Sequence, residues 1–115
     1  VKALGPAALC ERVKQRVGDR PVFLSFDIDF LDPAFAPGTG TPEVGGFSMY
    51  EALQMVRGLA GINLIGFDLV EVLPDRDPTR ITALNAAAIV FEAITLLALK
   101  RRMDGVPKAE PVAQV

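Results

Sequence analysis

The chain has 115 residues, with 12 basic and 14 acidic side chains and a net charge of −2. This length allows at most one domain, and the near balance of charges argues against a nucleic-acid partner. The single cysteine, Cys10, excludes a disulfide within the chain and agrees with a reducing, cytoplasmic location.

Half of the residues are hydrophobic, so a membrane span has to be considered. The longest uncharged stretch near the end of the chain, residues 81–91, stops at Glu92. It is shorter than the roughly 20 residues that a span requires. The start of the chain has no signal-peptide pattern. We therefore predict no membrane partner, and we expect the excess of apolar side chains to be buried against other protein.

The pattern of apolar residues predicts five elements in the order α-β-α-β-α. Pro6 and Gly18 bracket a first helix at about residues 7–17, and a short apolar run predicts a strand at 22–27. Ser48 and Glu51 form a capping box that predicts a second helix to about residue 59. A second strand is predicted at 64–72, with Gly66 at a close backbone approach.

The last predicted helix spans about residues 79–103, with Asp77 as its N-cap and Gly105 beyond its end. It is apolar nearly all the way round, which predicts a buried helix. Both strands lack polar alternation, which is typical of strands buried on both faces of a parallel sheet.

This order of elements predicts an α/β protein, but two parallel strands do not make a stable sheet by themselves. We therefore expect residues 1–105 to form the C-terminal part of a larger α/β domain. The remaining residues, 106–115, carry two prolines and two charges and are predicted to be a disordered tail.

The segment 25–46, SFDIDFLDPAFAPGTGTPEVGG, holds the candidate site. Asp27 and Asp29, two apart at a strand end, are expected to point to the same side and to converge on one centre. Carboxylate oxygens suit Mg²⁺, Ca²⁺ or Mn²⁺. A bare D-x-D more often caps a loop or pairs with Arg or Lys. Asp32 and the Pro- and Gly-rich loop after it favour the metal interpretation.

Four motifs in this order, SFDIDxLDP, PGTGTPxxGG, DLVEV and RITAL, resemble those of the ureohydrolases, the family of arginase and agmatinase. The resemblance extends over about residues 21–101, and the segment DPTRITALNAA is closer to agmatinase and the guanidino-acid hydrolases. It implies a three-layer α/β/α fold, a binuclear Mn²⁺ centre and hydrolysis of a small guanidino substrate to urea and an amine. It also implies assembly into a homo-oligomer, a trimer or a hexamer.

Carried over by motif position, the resemblance makes Asp27 and Asp29 metal ligands, with Asp29 approaching the two metals more closely. Glu71 corresponds to the catalytic glutamate that holds the substrate guanidinium, a role that suits a carboxylate able to accept two parallel N–H bonds. Thr41 is expected to line the substrate pocket. Asp32 is expected to fix the loop.

Two alternatives remain open from the sequence. Glu71 could instead form a salt bridge with Arg76 or Arg80. The chain contains no histidine, whereas the family takes its other metal ligands from histidine-containing motifs. We therefore expect the chain to be catalytically incomplete alone. The alternative is a non-catalytic association module in which the aspartates are structural.

Overall fold

The computed structural model describes residues 2–105, so the predicted disordered tail, 106–115, lies outside the described residues. Five main elements follow one another in the predicted order: α1 (Gly5–Val17), β1 (Val22–Asp27), α2 (Met49–Gly58), β2 (Leu64–Val70) and α3 (Ile81–Met103). Short 3₁₀ turns lie at Lys2–Leu4, Ile28–Phe30 and Pro74–Arg76. The chain is an α/β protein, as predicted.

Local sequence signals explain where α2 begins. The Ser48 hydroxyl accepts a hydrogen bond from Glu51 N at 3.2 Å, and Glu51 Oε2 accepts one from Ser48 N at 2.8 Å. These two bonds satisfy N–H groups that the first turn of a helix leaves without partners. The predicted capping box is therefore confirmed.

The two strands pair in parallel, with Ser25 opposite Asp68 and Asp27 opposite Val70. Helix α2 lies in the crossover between them and packs against α1 and α3, while α3 also packs on β2. Gly66 faces the Phe23 side chain, and a β-carbon added to Gly66 would lie 2.7 Å from Phe23 Cδ2. The close approach predicted at Gly66 is confirmed, although its partner is a ring rather than a backbone.

The core lies between one face of the sheet and the helices. Several of its most buried members come from β2, from the turn and loop after β1, and from α2 and α3: Ile28, Leu31, Ala52, Val56, Leu64 and Ile89. The loop after β1 therefore belongs to the core, and it is held in one shape by packing.

Two predictions about burial are wrong for the described chain. The strands are not covered on both faces, because Phe23 and Ile65 are 59% and 61% exposed. Helix α3 is not buried all round, because Leu84 and Phe91 are 66% and 68% exposed. In each case the apolar pattern shows that burial of the element would be favourable. Residues 2–105 bury only one side of each element.

Helix α3 is long and apolar enough to cross a membrane by length and composition, and 28% of its most apolar window is buried. One stripe of it packs into the core through Ala86, Ile89 and Ala93. Its one acidic residue, Glu92, pairs with Arg57 of α2 at 2.5 Å. The absence of a membrane partner stays a prediction.

The boundaries differ from the prediction at two places near the candidate site. β2 ends at Val70 rather than at residue 72, and α3 begins at Ile81 rather than at residue 79. Glu71 and Arg80, just outside these ends, both have positive φ values, of 67° and 57°. Such residues interrupt regular structure, because the left-handed region brings Cβ close to the following carbonyl oxygen.

Candidate functional site

The two aspartates of the D-x-D motif lie together at the carboxyl end of β1. The strand ends at Asp27, and Asp29 belongs to the 3₁₀ turn Ile28–Phe30. Asp27 Oδ1 accepts a hydrogen bond from Asp29 N at 3.1 Å, which turns the chain out of the strand. The predicted end of the strand at Asp27 is confirmed. The same-side expectation assumed strand geometry, which does not hold at Asp29, yet the turn keeps the two carboxylates adjacent.

Burial raises the pKa of the Asp27 carboxyl above its ordinary value. The hydrogen bond from Asp29 N lowers this pKa in part, and the negative charge of Asp29 raises it again. A cation placed between the two carboxylates would oppose both of the effects that raise the pKa. The local electrostatics therefore favour binding of a positive group at this place.

Asp32 fixes the loop that follows, as predicted. Its Oδ1 accepts from Ala34 N at 2.9 Å and its Oδ2 from Gly45 N at 2.8 Å, which draws the two ends of the loop together. Gly46 packs so closely that a β-carbon there would lie 2.5 Å from Asp32 N. The Phe30 and Phe47 rings stack at a centroid distance of 4.4 Å below this closure. Loop 33–46 therefore has a defined shape.

This shape brings Thr41 to the aspartates. Thr41 Oγ1 donates a hydrogen bond to Asp29 Oδ2 at 3.0 Å, across twelve residues of chain. The side chain of Thr41 is exposed at the edge of the sheet. Its assignment as a residue of the substrate pocket stays a prediction, and its contact with Asp29 fixes one oxygen of that carboxylate.

Glu71 lies at the carboxyl end of the neighbouring strand. It follows Val70, the residue that pairs with Asp27, so the exposed Glu71 side chain begins at the same edge of the sheet as the D-x-D motif. Its φ of 67° is unusual for a residue with a side chain, and such strained positions cluster at functional sites. Within residues 2–105 no ion pair joins Glu71 to Arg76 or Arg80, so the salt-bridge alternative lacks support.

Sequence reasoning missed a set of contacts behind the site. Gly38 N donates to Thr82 Oγ1 at 2.8 Å, and the Asp77 carboxylate accepts from Thr82 N and Ala83 N at 3.0 and 2.9 Å. Asp77 was predicted only as a helix cap, and Thr82 is one of many small polar residues in apolar helices. Only the buried glycine in PGTGTP signals that something packs tightly against this loop.

Among the described residues, no group of three or more His, Cys, Asp or Glu side chains is arranged to hold a metal ion. Asp27 and Asp29 supply hard oxygen donors, which are the ligands that Mn²⁺, Mg²⁺ and Ca²⁺ prefer. The residues present therefore fit a divalent cation in the chemistry of their donor atoms.

The sequence pattern described as the arginase family matches residues 1–96. The chain is similar to the agmatinase of Photorhabdus laumondii, at 53% identity over 94 residues that cover 82% of this chain and 31% of that protein. It is similar also to an Escherichia coli O1:K1 agmatinase, at 54% identity over 78% of this chain and 29% of that protein. The chain thus spans less than a third of the length of these relatives.

Solved structures give the same result for the fold. A hypothetical agmatinase from Burkholderia thailandensis superposes with a TM-score of 0.86 at 51% identity, over 89% of this chain and 32% of that one. The proclavaminate amidino hydrolase of Streptomyces clavuligerus superposes with a TM-score of 0.82 at 41% identity, over 84% and 32%. On the family match over residues 1–96, this chain belongs to the arginase family, the ureohydrolases, and within it is agmatinase-like.

Proposed function

We propose that this chain is the C-terminal part of a manganese-dependent amidinohydrolase that converts a guanidino compound of the agmatine type to urea and an amine. The observation that carries the proposal is the placement of three acidic residues at one edge of the sheet. Asp27 and Asp29 end one strand, and Glu71 follows the residue paired with Asp27 on the next. The agmatinase and amidino hydrolase similarities point to the same chemistry.

Glu71 has the properties that a guanidinium-binding residue needs. Its carboxylate is exposed, and no ion pair within residues 2–105 neutralises it. A carboxylate accepts two parallel N–H bonds from a planar guanidinium, which fixes both the position and the orientation of the substrate. Glu71 has a left-handed backbone, a conformation that glycine adopts without strain and that asparagine and aspartate adopt more readily than glutamate.

Asp27 and Asp29 would bind the metal ions. Asp29 Oδ2 already accepts from Thr41, so this carboxylate has a fixed orientation before a metal binds. A Mn²⁺ pair, when bound, would supply the activated water for hydrolysis of the guanidino carbon. Asp27 and Asp29 would orient the metal ions, and Glu71 would orient the substrate guanidinium.

We propose further that residues 1–105 act as one part of a larger domain, that the chain alone is inactive, and that the active assembly is a cytoplasmic homo-oligomer. The support for incompleteness is the donor set. The chain has no histidine, and the described residues offer no complete metal site.

A chimera tests the proposal directly. This chain would replace the matching 94-residue segment in the agmatinase of Photorhabdus laumondii. We expect this agmatinase chimera to release urea from agmatine when loaded with Mn²⁺, and the 115-residue chain alone to release none.

Two variants of the chimera separate the proposed roles. Asp29→Asn should abolish activity and reduce the bound manganese. Glu71→Gln should retain manganese but lose about one to two decades in kcat/KM, because charge-assisted hydrogen bonds contribute about 1.5–3 kcal/mol. Asp19→Asn makes the same kind of charge change before β1, at the opposite end of that strand, and should leave activity unchanged.

The association-module alternative makes the opposite prediction. If Asp29→Asn and Glu71→Gln both left urea release in the chimera unchanged, the carboxylates would be structural. An inactive parent chimera that nevertheless folds and binds manganese would likewise contradict the proposed function.

A further inference from the structure

Gly38 is one of several residues that attach the loop carrying Thr41 to the rest of the chain, alongside Phe35, whose carbonyl accepts from Asn85 of α3 at 2.8 Å. Gly38 N donates to Thr82 Oγ1 at 2.8 Å, and Gly38 O accepts from Leu73 N at 2.8 Å. One bond leads to the start of α3, and the other leads to the segment just after Glu71. Because both polar groups of this residue are bonded, its position is fixed relative to both elements.

The helix side of this attachment is buried and fully bonded. Thr82 is 0% exposed and Asp77 is 6% exposed. The Asp77 carboxylate accepts from the Thr82 N–H at 3.0 Å and from the Ala83 N–H at 2.9 Å. Thr82 therefore links the other two residues, because its N–H donates to Asp77 and its hydroxyl accepts from Gly38. We call Asp77, Thr82 and Gly38 the clamp.

The clamp is also sterically tight. A β-carbon added to Gly38 would lie 2.5 Å from Asp77 Cβ and 2.9 Å from Thr82 Oγ1. Both neighbours are themselves held by hydrogen bonds, so neither can move aside at low cost. Any other residue at position 38 would push the loop away from α3.

The loop continues from the clamp to both halves of the candidate site. Thr39 forms an antiparallel bridge with Val72, the residue after Glu71. Three residues after Gly38, Thr41 donates to Asp29. The same short loop is therefore bonded to the Asp29 carboxylate at one end and to the chain beside Glu71 at the other.

We propose that Asp77 and Thr82 are positioning residues that set the distance between the Asp27–Asp29 pair and Glu71. They touch neither carboxylate group of the site. They act by holding Gly38, and through it the Thr39–Val72 bridge and the Thr41–Asp29 bond. The expected effect on activity rests on the proposed function. The mechanical part, which is that Asp77 and Thr82 hold the loop and segment 70–73 in place, does not depend on it.

The test compares Thr82→Val with Thr82→Ser in the agmatinase chimera. Valine keeps the volume and removes the hydroxyl, whereas serine keeps the hydroxyl. We expect Thr82→Val to lower kcat/KM about tenfold or more, with manganese content unchanged, because a small misplacement of binding groups is costly. Thr82→Ser should restore most of the activity. Thr95→Val removes an exposed hydroxyl that bonds only within α3, and it should behave as the parent.

Hydrogen exchange on the 115-residue chain provides a readout that does not depend on activity. Thr82→Val should speed exchange at the amides of Gly38 and Leu73 and in segment 70–73, and Thr95→Val should not. A purely structural role would instead lower activity only in proportion to the folded fraction.

The outcomes are distinguishable. An active parent with an equally active Thr82→Val variant would overturn the clamp and leave the proposed function intact. An inactive parent would overturn the proposed function, and exchange would then decide the mechanical part. Unchanged exchange in segment 70–73 of the Thr82→Val chain would overturn the clamp in either case.

Discussion

Replacing threonine by valine should have opposite effects on stability at two buried positions in the same region. Thr39 and Thr82 are 1% and 0% exposed. Among the described residues the Thr39 hydroxyl has no hydrogen-bond partner, whereas the Thr82 hydroxyl accepts from Gly38 N. Valine replaces the hydroxyl by a methyl group at nearly constant volume in both cases, so hydrogen bonding is the main difference.

The magnitudes follow from the cost of burying unsatisfied polar groups. Thr82→Val leaves the buried Gly38 N–H without its acceptor, which should cost about 1–3 kcal/mol of unfolding free energy. Thr39→Val removes a hydroxyl that is buried without a partner, and it should leave stability unchanged or raise it by about 1 kcal/mol. The two variants should therefore differ by about 2 kcal/mol or more.

Urea unfolding of the 115-residue chain, followed by circular dichroism, measures this difference. With a slope of about 2 kcal/mol per M, the two midpoints should differ by about 1 M. All samples must have the same protein concentration, because self-association would make stability depend on it. Equal losses in the two variants would refute the reasoning, since they would show that the Thr39 hydroxyl is as well bonded as that of Thr82.

Glu71→Gly should stabilise the chain by about 1 kcal/mol in thermal melts, because glycine removes the left-handed strain, while Glu71→Gln should not. Gly46→Ala should destabilise it by about 1–3 kcal/mol, because the new methyl group meets the Asp32 backbone, and an unchanged urea midpoint would contradict this. Burial acts to raise the pKa of the Asp77 carboxyl, but hydrogen bonds from Ala83 and Thr82 lower it overall. The stability that Asp77 contributes should thus be present above an ordinary aspartate pKa of about 4 and be lost as pH falls through the lower folded pKa. Asp77→Asn should reduce the fall of the urea midpoint between pH 5 and pH 3. The 115-residue chain should also self-associate through its exposed apolar faces, and a monodisperse monomer in sedimentation across a dilution series would contradict this.

The sequence was a good guide wherever a structural signal lies within a few residues. The capping box at Ser48 and Glu51 and the bounds of β1 are as predicted. The order of elements and the parallel pairing follow from the alternation of helix and strand patterns. These features depend on short-range hydrogen bonds and on apolar spacing, both of which can be read from neighbouring residues.

The predictions that failed concern which protein segments cover an apolar surface. Phe23 and Phe91 belong to patterns that predict burial, yet both are exposed among the described residues. An apolar pattern gives the free energy gained when a face is covered, at about 25 cal/mol per Å², but it does not identify the covering element. The assumption of strand geometry at Asp29 failed for another reason. The bond from its N–H to Asp27 competes with strand pairing, and no periodicity records such a bond.

Within the candidate site, the residues matched by motif and those found from the structure do different work. Asp27, Asp29 and Glu71 carry charge at the edge of the sheet, where a motif can identify them. Asp77 and Thr82 lie far along the chain from the loop that they hold, up to 44 residues from Gly38. No local pattern connects them, because the contact exists only after α3 has packed on β2.

Contacts within the described chain therefore satisfy the carboxyl edge of the sheet better than they cover the two sheet faces. At the edge, Asp32, Thr41 and Asp77 satisfy their hydrogen bonds within the described chain, and loop 33–46 has its shape without further contacts. On the faces, apolar side chains such as Phe23 and Ile65 remain exposed. What additional protein would contribute is thus burial of these faces and further metal ligands, rather than the shape of the loop. Under the proposed function, the Asp29 carboxylate and the loop that holds it would thus be ordered before metal and substrate bind, which would lower the entropy that binding must cost.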